Sequence, residues 1–452
     1  MPYQKHKRPV STLPTARTAA LLSLLEVEKG GFPEEALEDF GAALERRDRA
    51  LAAALVYGVL RWRSRLEWSA RRFLHKPDRE LPDVVRVNLN LGLFQLYFLD
   101  RVPASAAVNE SVKLAKVHGP AWSPGLVNAV LRAAVRAGGP PDPDKTGLPP
   151  IEKLALTQAH PLWLVERWVT ELGWDEAQTL LEANNRPAAL SLRINTARAG
   201  IEEVAAGLPG AERSRFAPDG LLLPGPTGPV GDLPGFDQGL FTVQDEAAQV
   251  VCLLARSGPG VKVLDACAGR GGKSLYLAAL TKGSVRGLDL DRTRLLQAQN
   301  EARRLGAAGV RLTQGDLLQP PFASGSFDLV LVDAPCSSLG VIRRRPDVKW
   351  LKKENDPARL SDMQTKMLAA AAQLVRPGGR LIYAVCTLTP EETDGVIQPF
   401  GRTHPDFELV PAGEILPESA RPLADDHGLV RAWPHRHGTD GFFAAVLDRR
   451  PA

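Results

Sequence analysis

The 452-residue chain has only four cysteines, Cys252, Cys267, Cys336 and Cys386. That is too few for a disulfide framework at this length, and no Cys-x-x-Cys pair offers a zinc site, so no metal is expected. Uncombined thiols suit a reducing cytoplasm, the expected location. No apolar run reaches the roughly 18 residues that a membrane-spanning helix needs, so no membrane partner is expected. The N-terminal stretch MPYQKHKRPVSTLPTARTAA is basic but lacks an apolar centre. It therefore reads as an unstructured basic arm and not as a secretory signal. There is no internal repeat, and low complexity is confined to GGPPDPDKTGLPP (138–150).

What is present is an ordinary globular composition, 44% hydrophobic and 24% charged, in a chain long enough for two or three domains. The net charge is only +4. Arginine and lysine nevertheless cluster beside tryptophan in ERRDRALAAALVYGVLRWRSR and VIRRRPDVKWLKK. Such runs fit a polyanionic partner, or a solvated face.

Apolar spacing predicts helices through residues 15–138, several opened by a proline-containing turn. Residues 1–140 are therefore assigned to an all-helical domain. Residues 141–240 combine a Pro/Gly-rich linker with a small α+β subdomain that includes the strand LSLRIN (190–195). Residues 241–452 alternate strand-length apolar runs (VKVLDAC, VRGLDL, VRLTQGD, FDLVLVDAP, RLIYAVCT) with helical segments such as RTRLLQAQNEARRLG and SDMQTKMLAAAAQLVRPGG. That alternation predicts an α/β Rossmann-like domain with a mostly parallel, seven-stranded sheet covered on both faces.

VLDACAGRGGKS (263–274) runs from a strand through an acid and a glycine-rich turn into a helix. Gly269, Gly271 and Gly272 let backbone approach a ligand, but the spacing matches neither a dinucleotide fingerprint nor a phosphate loop. Four successive strand ends carry Asp265, Asp289, Asp316 and Asp333. One such acid is commonly a helix cap; four outline a pocket at the carboxyl edge of the sheet. S-adenosylmethionine, an adenosine without a long phosphate tail, fits. Cys267, Ala268, Gly269, Arg270, Gly271, Gly272 and Lys273 would line its methionine end. Asp289 would meet the ribose, Asp316 the adenine edge, and Asp333 would close the pocket.

DACAGRGGKS, DAPCSSLGVIRRRPDVKW, YAVCTLTPEE and DGFFAAVL resemble the cofactor turn, fourth motif, sixth motif and closing strand of the RNA cytosine-5 methyltransferases of the NOL/NOP/Sun family. RDRALAAALVYGVLRWR, RVPASAAVNESVKLAK and GLVNAVLR resemble the NusB-like helical domain that marks its RsmB (Sun/Fmu) type. The chain departs from the family at Gly269-Arg270, usually Ala-Pro, and at Thr387, usually Ser. The resemblance implies methyl transfer to carbon 5 of an RNA cytidine, and the RsmB type implies cytidine 967 of small-subunit ribosomal RNA before full assembly. It implies Cys386 as nucleophile, Cys336 assisting release, Asp333 holding the base, and Lys273 adding positive charge. It also accompanies an expectation that Arg343, Arg344 and Lys349 meet RNA phosphate, and that the protein is a monomer.

The chemistry suits these residue types. Cytosine carbon 5 is a weak nucleophile until a thiolate adds to carbon 6. An acid near ring N3 stabilises the charge that develops. Cys252 and Cys267 read as small packing residues. His435 and His437 read as structural or RNA-contacting, and Gln244 and Asp245 as shaping the pocket or capping a helix. Three readings compete. An RNA-binding relic is opposed by the intact acids and cysteines. The same chemistry on another ribosomal or transfer RNA cytidine stays open. A DNA enzyme would make the Pro-Cys thiol, Cys336, the nucleophile.

Overall fold

The computed structural model describes residues 15–225, 228–255 and 260–452. The first 14 residues of the basic N-terminal stretch lie outside them. The chain forms two compact units, one running to Leu181 together with Lys349–Leu351, the other comprising Glu182–Val348 and Lys352–Ala452.

The first unit is helical. Its helices span Ala16–Glu28, Pro33–Gly41, Arg46–Arg72, Asp83–Phe98, Ala104–His118 and Ser123–Ala137, then Pro150–Thr157 and Leu162–Leu172. The ends obey local chemistry. The Thr15 side chain caps the first helix, and Gly138, at φ +75°, terminates the sixth. Leu21, Leu55, Val59, Leu89, Leu93, Val127 and Leu131 bury the apolar stripes of four of these helices in one core. Gly58 lies against Phe94 so closely that a Cβ would stand 2.0 Å from the ring, so this helix pair meets only across a glycine. At the rim, Arg86 donates to Glu28, Glu67 and Asp83.

The second unit has two sheets. The smaller is antiparallel and joins β1 (Leu190–Ile194), β2 (Glu212–Arg213), β3 (Gly220–Leu223) and β4 (Phe241–Val243) in the order β2-β3-β1-β4. The larger contains β5 (Lys262–Asp265), β6 (Ser284–Asp289), β7 (Val310–Gln314), β8 (Phe327–Asp333), β9 (Val375–Val385), β10 (Phe407–Val410), β11 (Val430–Ala432) and β12 (Phe442–Arg449). Its seven-strand order is β10-β12-β9-β8-β5-β6-β7, with the short β11 as an eighth strand beside β12. Strands β5 to β9 pair in parallel, and β12 pairs antiparallel with β9, β10 and β11.

The apolar runs of the sequence follow from burial on both faces. Val330, Val332, Leu381, Tyr383, Phe443 and Ala445 face the helices Asp356–Leu374 and Asp394–Thr403. Their neighbours Leu329, Leu331, Ile382, Ala384, Phe442 and Ala444 face the helices Glu246–Leu253 and Gly272–Thr281. The alternation is the period of a strand. Strand β5 pairs with β6 on one side and β8 on the other. The strand order reverses there, and open α/β sheets bind ligands in the crevice at such a point.

Candidate active site

Each acid at this edge has a distinct setting. Asp265 is buried, takes a 2.6 Å bond from Ser274 Oγ, and is pushed up by burial to about 6. Asp289 accepts from Gly269 N and Asp291 N, both at 2.8 Å. Asp316, two residues past the end of β7, accepts from Leu318 N at 2.9 Å. Asp333 ends β8 and receives the Lys273 ammonium at 2.5 Å. None caps a helix: Gly271 precedes the 272–281 helix, and Asp291 caps the 292–305 helix.

The loop between β5 and the 272–281 helix needs its glycines. Gly269 sits at φ +52° with open space where a Cβ would point. A Cβ on Gly271, at φ +83°, would lie 2.8 Å from that of Ala298. Ala266 N and Ala268 N tie the loop to Leu331 O and Leu288 O. Behind it, buried Arg193 of β1 donates to Gly272 O at 2.7 Å and lies over the Tyr276 ring. The sequence reading missed Arg193, whose signal was an arginine inside the apolar run LSLRIN.

The donor set fits S-adenosylmethionine. Asp289 anchors the loop at the end of β6 while Gly269 leaves space above it. Leu290 and Leu318, which follow Asp289 and Asp316 in the chain, expose apolar surface. Asp289 and Asp316 can take hydroxyl and amino donors, and the glycine turn can take the amino-acid end.

The two thiols meet because their strands are neighbours. Asp333 and Ala384 are register partners in parallel β8 and β9, so the residues just beyond them leave the sheet side by side. Cys336 Sγ and Cys386 Sγ stand 3.2 Å apart, hydrogen-bonded and without a disulfide. Ser338 holds its place between them at φ +61°, with Oγ 3.6 Å from Cys386 Sγ. Gly340 N donates to Cys386 O and Gly340 O accepts from Gly441 N. A Cβ on Gly340 would strike Gly441 O at 2.1 Å. The contact splits the thiols electrostatically. The Cys336 hydrogen bond, ahead of an opposing burial effect, lowers the Cys386 thiol. The same bond, with burial, raises Cys336 well above the usual range.

Lys273 is mostly buried and lies 5.1 Å from the Phe442 ring centre. Burial alone would lower its ammonium, but the Asp333 carboxylate overrides that and holds it above the usual range. Cys252 is a buried packing thiol pushed by burial to about 12, and burial also raises Cys267.

The expected phosphate contacts fall elsewhere. Lys349 is completely buried and donates to Arg61 O at 2.8 Å inside the helical unit. It presents no surface to a phosphate, which corrects that expectation. Arg344 donates to Asp440, Ala189 O and Asp245 at 2.8 to 2.9 Å, and Arg343 donates to Gly438 O and Thr439 O. Both guanidiniums are turned to the protein's own acceptors. Asp245 also caps the 246–253 helix. His437 Nδ1 accepts from Trp433 N at 2.9 Å, a structural bond. Among the described residues no cluster of metal-binding side chains occurs.

Comparison with known proteins gives three family matches: "NusB family" over residues 14–136, "RsmF/B-like, ferredoxin-like domain" over 160–230, and "16S rRNA methyltransferase RsmB/F" over 252–448. A Bacillus subtilis protein named "Probable ribosomal RNA small subunit methyltransferase B" is 36% identical, covering 90% of this chain and 92% of that protein. The Vibrio cholerae "Ribosomal RNA small subunit methyltransferase B" is 35% identical, covering 96% and 97%. The crystal structure of PH0851 superposes with a TM-score of 0.81 at 28% identity, over 98% of this chain and all of that one. A methyltransferase homologue from Pyrococcus horikoshii gives 0.56 at 27% identity, over 67% of this chain and all of its own.

Proposed function

This chain belongs to the RsmB/F family of 16S rRNA methyltransferases, and on that premise we propose that it methylates carbon 5 of cytidine 967 through a covalent cysteine–cytosine adduct. The coarser activity is that of its family: it is an S-adenosylmethionine-dependent ribosomal RNA methyltransferase. The bound cofactor supplies an electrophilic methyl group on sulfonium sulfur. Asp289, Asp316 and the 267–273 turn hold it, and Asp333 borders it.

The observation that supports the adduct is the hydrogen-bonded thiol pair at the ends of β8 and β9, beside the Asp333–Lys273 ion pair. Cys386, the thiol held lower, attacks carbon 6 as thiolate. The new sulfur–carbon bond pushes the ring's electron pair toward carbon 5, which takes the methyl group. Asp333 faces ring N3 and the exocyclic amine and is kept in place by Lys273. The carbon-5 proton then passes to solvent water acting as base. The electron pair it leaves behind reforms the ring double bond, and the carbon 6–sulfur pair returns to Cys386. Cys336, 3.2 Å from that sulfur, assists this release.

The helical unit adds RNA affinity, the partner is small-subunit ribosomal RNA before full assembly, and the protein acts as a cytoplasmic monomer. The test is bisulfite sequencing of ribosomal RNA from a deletion strain. Cytidine 967 should convert as unmodified in the deletion and be protected again on complementation. Loss of protection at a different ribosomal or transfer RNA cytidine would move the target while keeping the chemistry.

A further inference from the structure

Glu392 lies on the chain six residues past Cys386 and is completely buried. All the hydrogen bonds of its side chain come from neutral groups. Oε1 accepts from Ser337 N at 2.8 Å and Gln364 Nε2 at 2.9 Å, and Oε2 accepts from Thr389 Oγ1 at 2.9 Å. A buried carboxylate without a cation is costly, and its field is poorly screened.

The donors fix where that field acts. Ser337 is the neighbour of Cys336, and its hydroxyl bonds Thr387, the neighbour of Cys386, at 2.9 Å. The Gln364 amide that binds Glu392 also holds Pro335 O, on the other side of Cys336, at 2.9 Å. Tyr383 OH completes the frame by donating to Glu392 O at 2.8 Å and approaching Gln364 Oε1 at 3.0 Å. The residues flanking Cys336 on both sides are therefore tied to one buried negative charge.

We propose that Glu392 is the positioning residue that tells the two thiols apart: its carboxylate fixes the Cys336 loop and keeps the proton on Cys336, leaving Cys386 as the thiolate. This rests on the assignment of Cys386 as nucleophile and gives its cause. Other charges face the pair. Asp333 and Lys273 act on Cys386 in opposite senses, and Tyr383 and Glu392 stand on the Cys336 side. Glu392 contributes to raising Cys336, behind the bond to Cys386, burial and the charge of Cys386.

The substitution that isolates charge from shape is Glu392→Gln. The amide oxygen can still accept from Ser337 N and Gln364 Nε2. The amide nitrogen meets Thr389 Oγ1, a hydroxyl that can accept as well as donate. The measurement is iodoacetamide labelling of the full-length apo protein from pH 6 to 10, with peptides carrying Cys336 and Cys386 quantified separately. Wild type should label Cys386 ahead of Cys336. In Glu392→Gln the Cys386:Cys336 ratio at neutral pH should fall about tenfold, one pH unit in the Cys336 profile. Glu392→Asp, which keeps the charge, should restore most of the ratio. An unchanged ratio in Glu392→Gln overturns the proposal, as do equal losses in the Gln and Asp variants, which would mean packing alone. Should the Gln variant be insoluble, the wild-type profile still decides: Cys336 ionising before Cys386 overturns the proposal, and the expected order with a retained ratio in Glu392→Asp supports it. No RNA is present, so failure here is distinct from failure of the adduct chemistry, which trapping on RNA reads.

Discussion

Lys273 Nζ stands 2.5 Å from Asp333 Oδ2, joining the first turn after the glycine loop to the strand end that precedes Cys336. The cofactor turn and the base-facing acid are thus one electrostatic unit. Asp333→Asn keeps the shape but leaves a mostly buried ammonium without its carboxylate. Losing a charge-assisted bond of roughly 1.5–3 kcal/mol should slow methylation about ten- to a hundredfold. Single-turnover rates at saturating cofactor check this; a wild-type rate removes Asp333 from the reaction.

The thiols are separable by what each variant accumulates. Cys386→Ala should form no protein–RNA bond and no product. Cys336→Ala should attack and methylate, then retain the RNA. A denaturing gel after mixing with substrate RNA and cofactor shows the difference as a shifted band. The reverse pattern would make Cys336 the nucleophile.

Asp289 holds both the loop, through Gly269 N, and its own turn, through Asp291 N. Asp289→Ala should lower cofactor affinity at least about tenfold, the equivalent of one charge-assisted bond. Calorimetry without RNA measures it, and unchanged affinity excludes Asp289 from the pocket.

Arg344 is the cation between Asp245 and Asp440, whose side chains are 9% and 4% exposed. Arg344→Met strands two buried carboxylates and should cost about 3–5 kcal/mol of stability. Urea unfolding reports this. A variant of wild-type stability with weakened RNA binding would return Arg344 to the phosphate role.

His437 gives a pH signature. Burial, then Arg436, Arg215 and His435, lower it to about 4. The unfolded chain, with an ordinary value of about 6.5, binds more protons between those limits, so this group's stabilisation is lost as pH falls through that window. Protonation also removes the acceptor for Trp433 N. His437→Asn, which keeps an acceptor but does not titrate, should lose less melting temperature than wild type between about pH 6.5 and 4. Parallel curves would exclude His437.

The α/β unit was legible in the sequence because a sheet buried on both faces writes itself as apolar runs. What stayed hidden needed pairing across long distances. β11 has only three residues and exists through its pairing with β12. The helix expected to run through VRPGG stops at Leu374, because Val375 pairs with Phe327 and the Pro377-Gly378 segment is absorbed as an irregularity within β9. The acids and thiols of the candidate site were visible because the chain itself sets them at strand ends. The arginine-rich runs did not reveal their protein partners, because charge density does not say which carboxylate will meet them: Asp440 reaches Arg344 from 96 residues away.

Strand β12 lies between β9 and β10, both made earlier in synthesis. Val385, the residue before Cys386, has Phe443 as its partner. A nascent chain therefore carries both thiols, and the β8–β9 pair that aligns them, before β12 can close that side of the sheet. Until residue 449 has left the ribosome, β9 keeps one unpaired edge, open to aggregation or chaperone capture. Such a late, long-range pairing makes folding slow.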